Sequence, residues 1–220
     1  MGFARDLSDI LAAFFILKVL RRVDRALSTT GYSDLQSLFL AARYGWGKGV
    51  IVEVGSYHGK SAIALAAGSK AAGREKVYCV DPHWEGTREI FLRNIEGAGV
   101  GAQCVPVAAI SEQAVREVGH PVRLVFIDGD HRYESVKNDI AAWSPCVIDG
   151  GIIAFHDLNW PGVARAIAEL LASGGFTHEG NSGCTLFISK GRRENQRLFA
   201  VIRLYNRLKN AVLLRGFRDA

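Results

Sequence analysis

The chain of 220 residues has only five prolines, no low-complexity run and no internal repeat. With 49% apolar and 22% charged residues, it is neither disordered nor a solenoid, and it suits one α/β domain with short extensions. Cysteine is sparse. Cys79, Cys104, Cys146 and Cys184 stand far apart, with no C-x-x-C pair and no histidine at zinc-finger spacing. No disulfide framework or structural zinc is expected. Cys79 and Cys104, inside strand-like apolar runs, read as buried free thiols of a reducing compartment. Long apolar runs are missing too. Ile10–Leu17 is ended by Lys18, Arg21 and Arg22, well short of the about 20 residues that span a bilayer. Asp6 and Asp9 precede that run and no small-residue cleavage site follows it, so it is not read as a signal peptide. Asp6 also stands where N-myristoylation needs Ser or Thr. A cytoplasmic protein is the expectation.

Net positive charge is confined to one segment. Residues 191–220 carry eight basic residues against two acids, a net of +6, leaving −1 for the first 190 residues of a chain that totals +5. The basic side chains are Arg192, Arg193, Arg197, Arg203, Arg207, Lys209, Arg215 and Arg218. Leu198, Val201, Ile202, Tyr205, Leu208 and Val212 fall on one side of a helix over 192–214. Such a helix either docks on the domain, or on a second copy in a homo-oligomer, with its arginines solvated. Otherwise it makes a peripheral contact with an anionic inner-membrane surface. No nucleic-acid partner is expected, because aromatic and basic residues do not interleave on any strand and the domain is near neutral.

What is present is an alternating pattern. The first 45 residues read as helical: Leu11, Phe14, Phe15, Val19, Leu20 and Val23 recur at helical spacing, and Ser33–Tyr44 is a second amphipathic stretch. From residue 50, strand-like runs at Val50–Val54, Val77–Val80, Ala102–Val107, Arg123–Ile127 and Gly151–Phe155 alternate with helical runs. Those lie near 61–72, 87–98, 111–117, 134–142 and 162–173. Phe176–Glu179 and Cys184–Ser189 then flank a Gly-Asn-Ser-Gly turn at 180–183. The expected fold is α/β: a Rossmann-like, doubly wound, mostly parallel seven-stranded sheet with a C-terminal β-hairpin. An N-terminal helical cap (1–48), the domain proper (49–190) and a basic amphipathic tail helix (191–220) divide the chain.

Residues 50–61, VIVEVGSYHGKS, carry most of the functional information. A β-branched run ends in an acid, breaks into a glycine-bounded turn and enters an alanine-rich helix. That arrangement sets backbone N–H groups and a positive helix end beside an anionic ligand. A P-loop nearly fits, but three residues separate Gly55 from Gly59 where four are required before Lys60-Ser61, so the loop is too short to wrap a phosphate. A dinucleotide fingerprint G-x-G-x-x-G is absent. Asp81, ending the second strand, is placed to accept hydrogen bonds from ribose hydroxyls, or is an ordinary turn acid before Pro82. Two further acidic groups close strands four and five: Asp128-Gly-Asp130-His131 and His156-Asp157. At the carboxyl edge of a doubly wound sheet they converge on one crevice, where they suit a divalent cation or acid–base work.

VEVGSYHGKS, VDPHW, FIDGDHRYESVKNDI and GGIIAFHDLNWPGV together resemble the class I methyltransferases of the "methyltransferase 24" type, kin to catechol-type small-molecule O-methyltransferases. The resemblance spans about residues 33–190, with four blocks in the right order. It implies S-adenosylmethionine (SAM) as cofactor, held by Glu53, Gly55, Ser56, Tyr57, His58, Gly59, Lys60 and Ser61. Asp81, Pro82, His83, Ala109, Ser111 and Asp128 complete that set. It also implies metal ligands at Asp128 and Asp157, with His156 beside them, and His131 at the position of the family's catalytic lysine. His156-Asp157 stands where the related enzymes have Asp-Asn; magnesium prefers oxygen ligands, so an ion bound here would be either magnesium or a transition metal that accepts the imidazole. The implied reaction is methyl transfer from SAM to a hydroxyl of a small-molecule acceptor, a sugar or natural product, with Asp128 and His131 catalytic. Two other readings stand beside it: a non-catalytic scaffold at a membrane, and a P-loop-like nucleotide enzyme. His131 can equally tie down its loop, Asp130 cap the next helix, and His156 orient Asp157. Trp84 and Trp160 either bound an acceptor pocket or pack internally; Trp46 and Trp143 read as packing.

Overall fold

The computed structural model describes residues 30–84, 86–191 and 193–216, with side chains described as far as residue 207. The expected helix through Leu11 and Val23 lies outside the described residues, as do the side chains of Leu208 and Val212. The elements are α1 (Tyr32–Tyr44), β1 (Val50–Val54), α2 (Lys60–Ala71), β2 (Val77–Val80), α3 (Arg88–Gly97), β3 (Cys104–Val107) and α4 (Ser111–Val118). They continue with β4 (Val122–Ile127), α5 (Tyr133–Trp143), β5 (Val147–Phe155), α6 (Pro161–Ala172), β6 (Phe176–Ser182), β7 (Thr185–Lys190) and α7 (Gln196–Gly216).

The seven strands lie in the order β3-β2-β1-β4-β5-β7-β6. β1 to β5 run parallel, while β7 is antiparallel to both β5 and β6. Apolar residues of the central strands alternate between two buried layers, as a sheet covered on both faces requires. Ile51, Leu124, Phe126, Ile152 and Ala154 join α1, α2 and α7 on one side. Val52, Val125, Ile127, Ile153 and Phe155 join α4, α5 and α6 on the other. The strand order reverses between β1 and β4, so their carboxyl ends diverge and leave a crevice. Among the described residues no helix is long and apolar enough to cross a membrane.

The largest departures from the sequence pattern fall at three places. The hairpin turn falls at Gly183-Cys184 rather than across 180–183, with Asn181 opposite Leu186 and Ser182 opposite Thr185. Contacts from α1 hold these polar residues in strand form. Asp34 Oδ1 accepts from Thr185 N at 2.9 Å and from its hydroxyl at 2.8 Å, and Ser37 Oγ donates to Ser182 Oγ at 2.6 Å. β5 begins four residues early because an irregularity near Gly150 (φ 78°) lets Val147 pair with Val122. α7 begins late, at Gln196, because buried Asn195 is spent elsewhere: it accepts from Trp46 N at 2.8 Å and donates to Gly150 O at 2.7 Å. Leu198, Phe199, Val201 and Ile202 of α7 pack into the layer shared with α1 and α2.

Candidate active site

The β1–α2 loop is shaped by left-handed backbone at Gly55 (φ 90°), Tyr57 (φ 43°) and Gly59 (φ 86°). A Cβ on Gly55 would collide with the Asp128 carbonyl oxygen, and one on Gly59 would lie 2.9 Å from the Phe91 ring. Only glycine lets the loop lie this close to the end of β4. Asp81 ties the loop to β2: Oδ2 accepts from Tyr57 N and Oδ1 from His83 N, both at 2.7 Å. Each carboxylate oxygen keeps a further lone pair for a ligand hydroxyl. Asp81 is therefore a turn acid as well as a candidate ribose acceptor. The Lys60 amine donates to Thr30 O at 2.9 Å, and burial lowers its pKa. His58 is buried, stacked on Tyr57 at 3.8 Å, with its carbonyl accepting from Asn94 Nδ2.

Glu53 is fully buried on β1, and neither carboxyl oxygen has a formed hydrogen bond; Ser56 Oγ, also buried, has none either. Burial drives the Glu53 pKa up to about 8, against the partial relief of the nearby Ser61 and Ser56 hydroxyls. The acid thus waits, largely neutral, beside the loop.

At the ends of β4 and β5, Asp128, His131 and Asp157 bring ligand atoms within 4.8 Å of one another. His131 Nε2 stands 2.9 Å from Asp157 Oδ2, and its ring stacks on Trp160 at 5.0 Å. His156 lies beneath, 3% exposed, with Nδ1 3.1 Å from both Asp128 Oδ1 and Asp157 Oδ2. Burial would lower the His156 pKa, but hydrogen bonding to Asp128 and the charges of both acids outweigh it and push it up to about 9. Burial raises the Asp128 pKa, and His156 draws it back. Asp157 has φ 55°, a strained backbone that aims its carboxylate between the two histidines. Asp130 turns away, accepting from Arg132 N at 3.1 Å and Ser135 Oγ at 2.8 Å at the start of α5.

One cavity of about 840 Å³ joins these parts. Gly55 to His58, Lys60, Ser61, Asp81 to Trp84, Ala109, Ser111, Asp128, His131 and Asp157 line it; Glu53 and His156 sit behind the wall. Trp84 (83% exposed) and Trp160 (50%) stand out in solvent, whereas Trp143 is buried and donates to Ser111 Oγ at 2.8 Å. Trp46, expected to pack internally, is half-exposed. His120 and His178 are on the surface. Sequence reasoning missed Asp139, an acid 6% exposed that also lines the cavity. Its signal was available: it shares the buried stripe of α5 with Val136 and Trp143, where an unneeded carboxylate is costly.

Comparison with known proteins agrees with this architecture. The O-methyltransferase TomG from Streptomyces achromogenes, in complex with SAM, superposes with a TM-score of 0.62 at 18% identity, over 82% of this chain and 90% of that one. A Bacillus cereus O-methyltransferase in complex with S-adenosylhomocysteine (SAH) gives 0.60 at 18% identity, over 81% and 90%. A TDP-rhamnose 3'-O-methyltransferase of calicheamicin biosynthesis gives 0.58 at 18%, over 82% and 93%. The fold is the Rossmann-like methyltransferase fold. Residues 52–158 match the family model described as a methyltransferase domain. That match covers 107 of the 220 residues, from β1 to just past the end of β5, and over this stretch the chain is similar to methyltransferase domains.

Proposed function

We propose that the protein transfers a methyl group from SAM to a hydroxyl of a small-molecule acceptor, a sugar or another natural product. One observation carries this reading: the glycine loop and the Asp128–His131–Asp157 group open on the same cavity. The residues present fit the cofactor. The α2 N-terminus offers backbone N–H groups to a carboxylate, Asp81 keeps lone pairs for a diol, and the unsatisfied Glu53 carboxyl suits a cationic ligand. When bound, SAM supplies an electrophilic sulfonium methyl. Everything else falls to the chain, which must hold the acceptor oxygen in line and remove its proton.

A divalent ion fits Asp128 and Asp157, whose oxygens share one small space with His131; an ion there lowers the hydroxyl pKa. His131 takes the hydroxyl proton, and the Asp157 carboxylate at 2.9 Å stabilises the imidazolium that forms. Stacking on Trp160 fixes the ring plane. His156 bridges both carboxylates from below and sets their orientation. TomG, involved in tomaymycin synthesis, and the TDP-rhamnose enzyme of calicheamicin biosynthesis favour a natural-product acceptor.

Calorimetry should show SAM and SAH binding and no ATP binding; ATP binding without SAM would sink the reading. His131→Ala should cut turnover by about 100-fold or more while leaving SAM affinity within about twofold. Equal loss of both would make His131 structural. Chelation should lower turnover, with recovery on adding Mg²⁺ or Mn²⁺.

A further inference from the structure

Two residues at the start of α6 bear on His131. Trp160, just before the helix, stacks its ring on the His131 ring at 5.0 Å, with 23° between the planes. Gly162, in the first turn, meets the backbone of the same segment. A Cβ there would lie 2.5 Å from His131 O, 2.7 Å from Tyr133 N and 3.2 Å from Arg132 C, and a Cβ essentially never comes within 3.0 Å of another heavy atom. Gly162 is helical and needs no left-handed backbone. Glycine is the poorest helix former after proline, so the helix itself gives no reason for one here. What requires it is the close approach of the β4–α5 segment. Further along α6 the grip continues on Tyr133, the first residue of α5. Its hydroxyl donates to Glu169 Oε2 at 2.6 Å, and the Arg165 guanidinium lies 3.9 Å over its ring.

The turn that leads into α6 also carries Asp157, whose Oδ2 stands 2.9 Å from His131 Nε2. Moving the His131 backbone against α6 therefore changes the distance between these two groups. We propose that Gly162 is a positioning residue for His131. Its missing side chain sets how closely the β4–α5 segment lies on α6, and so both the His131–Asp157 contact and the place of the ring on Trp160. The inference rests on the reading of His131 as the base. A methyl group at 162 must push the segment back by at least about 0.5 Å, the tolerance within which a reacting constellation has to be held. Gly162 is not among the residues that line the cavity, so cofactor affinity should survive the change.

The test uses the full chain. It has six histidines, so protein labelled with carbon-13 at the imidazole Cε1 gives six ring signals in NMR, and His131→Ala identifies its own by loss. Gly162→Ala should move the His131 signal, because the ring leaves its place over the indole, while those of His58, His83, His120 and His178 stay. In methyl transfer from methyl-labelled SAM to a pooled small-molecule extract, the same variant should form product about tenfold or more slowly. Its SAH affinity by calorimetry should stay within about twofold of wild type, since the loss falls on positioning rather than on binding. Gly97→Ala, at a helical glycine of α3 with nothing within 4 Å of its Cβ position, is the matched control and should change none of these readings. Should Gly162→Ala fail to fold, Pro161→Gly loosens the same turn at an exposed residue, without touching the indole, and should move the same signal. An unmoved His131 signal in the folded variant, or a moved signal with undiminished product, would overturn the assignment while leaving the SAM reading standing. Equal losses of turnover and SAH affinity would also overturn it, making Gly162 a general structural residue. Failure of wild type to bind SAH would remove the cofactor reading and the catalytic role of Gly162 with it.

Discussion

At Gly55, which opens the β1–α2 loop, and Glu53, two residues earlier on β1, side-chain absence and side-chain burial act in opposite ways. Gly55 holds φ 90° with the Asp128 carbonyl oxygen against its Cα. Gly55→Ala meets both a left-handed backbone and a backbone collision, so it should cost at least about 2 kcal/mol of stability. Thermal melting would read that loss, and calorimetry a loss of SAM binding. Glu53 is the reverse case, a full-length acid with nowhere to send its charge. Its pKa is raised from 4.5 to about 8 in the folded chain, so the folded state binds the proton more tightly than the unfolded state. Stability from this group is complete below pH 4.5 and is lost as pH climbs through about 8. Wild type should therefore lose melting temperature relative to Glu53→Gln between about pH 4.5 and 8. Parallel curves for the two proteins would contradict the burial argument.

At the scale of elements, the hairpin β6–β7 shows polar residues made into strand by a neighbour. Asp34, at the start of α1, sits where a Cβ on Gly183 (φ 62°) would stand, and it takes both donors of Thr185. The tight turn at Gly183 and the helix α1 thus specify each other. Asp34→Ala would leave a buried N–H and hydroxyl without their acceptor, a loss of about 1–3 kcal/mol. Chemical denaturation should show that loss, and hydrogen exchange should show faster opening of β7 than of β1. A denaturation midpoint equal to wild type would mean that water replaces Asp34. Elsewhere the pattern of short β-branched runs was enough: β1 and β2 begin and end where alternation predicts, because their side chains have no polar alternative.

For the whole molecule, α7 is part of the core. Leu198, Phe199, Val201, Ile202 and Tyr205 are buried, and burying a large apolar side chain contributes about 1.5–3 kcal/mol. Their joint loss is comparable to the whole stability of a domain, about 5–15 kcal/mol. A chain lacking residues 191–220 should therefore be insoluble or molten. A soluble 1–190 fragment with a cooperative melt would contradict that. Arg203 and Arg207, on the exposed side of the same helix, keep the charge that the composition places in this tail.

The sequence by itself determined the sheet, its parallel run and terminal hairpin, the glycine loop and the acids at the ends of β2, β4 and β5. Each follows from local constraints: apolar period, glycine at positive φ, and acids at strand ends. Only the tertiary structure decided how those acids divide their work. His156 and Asp157 are neighbours in the chain, yet one lies 3% exposed beneath two carboxylates and the other faces the cavity. The positive φ at Asp157 makes that split, and no residue pattern announces it. The buried stripe of α5 marks Asp139 as an unusual acid, but only the fold brings Ser111 and Gly129 to it from other parts of the chain. Solvent exclusion is a property of the assembled layers, and solvent exclusion decides which acids are charged and which wait for a ligand.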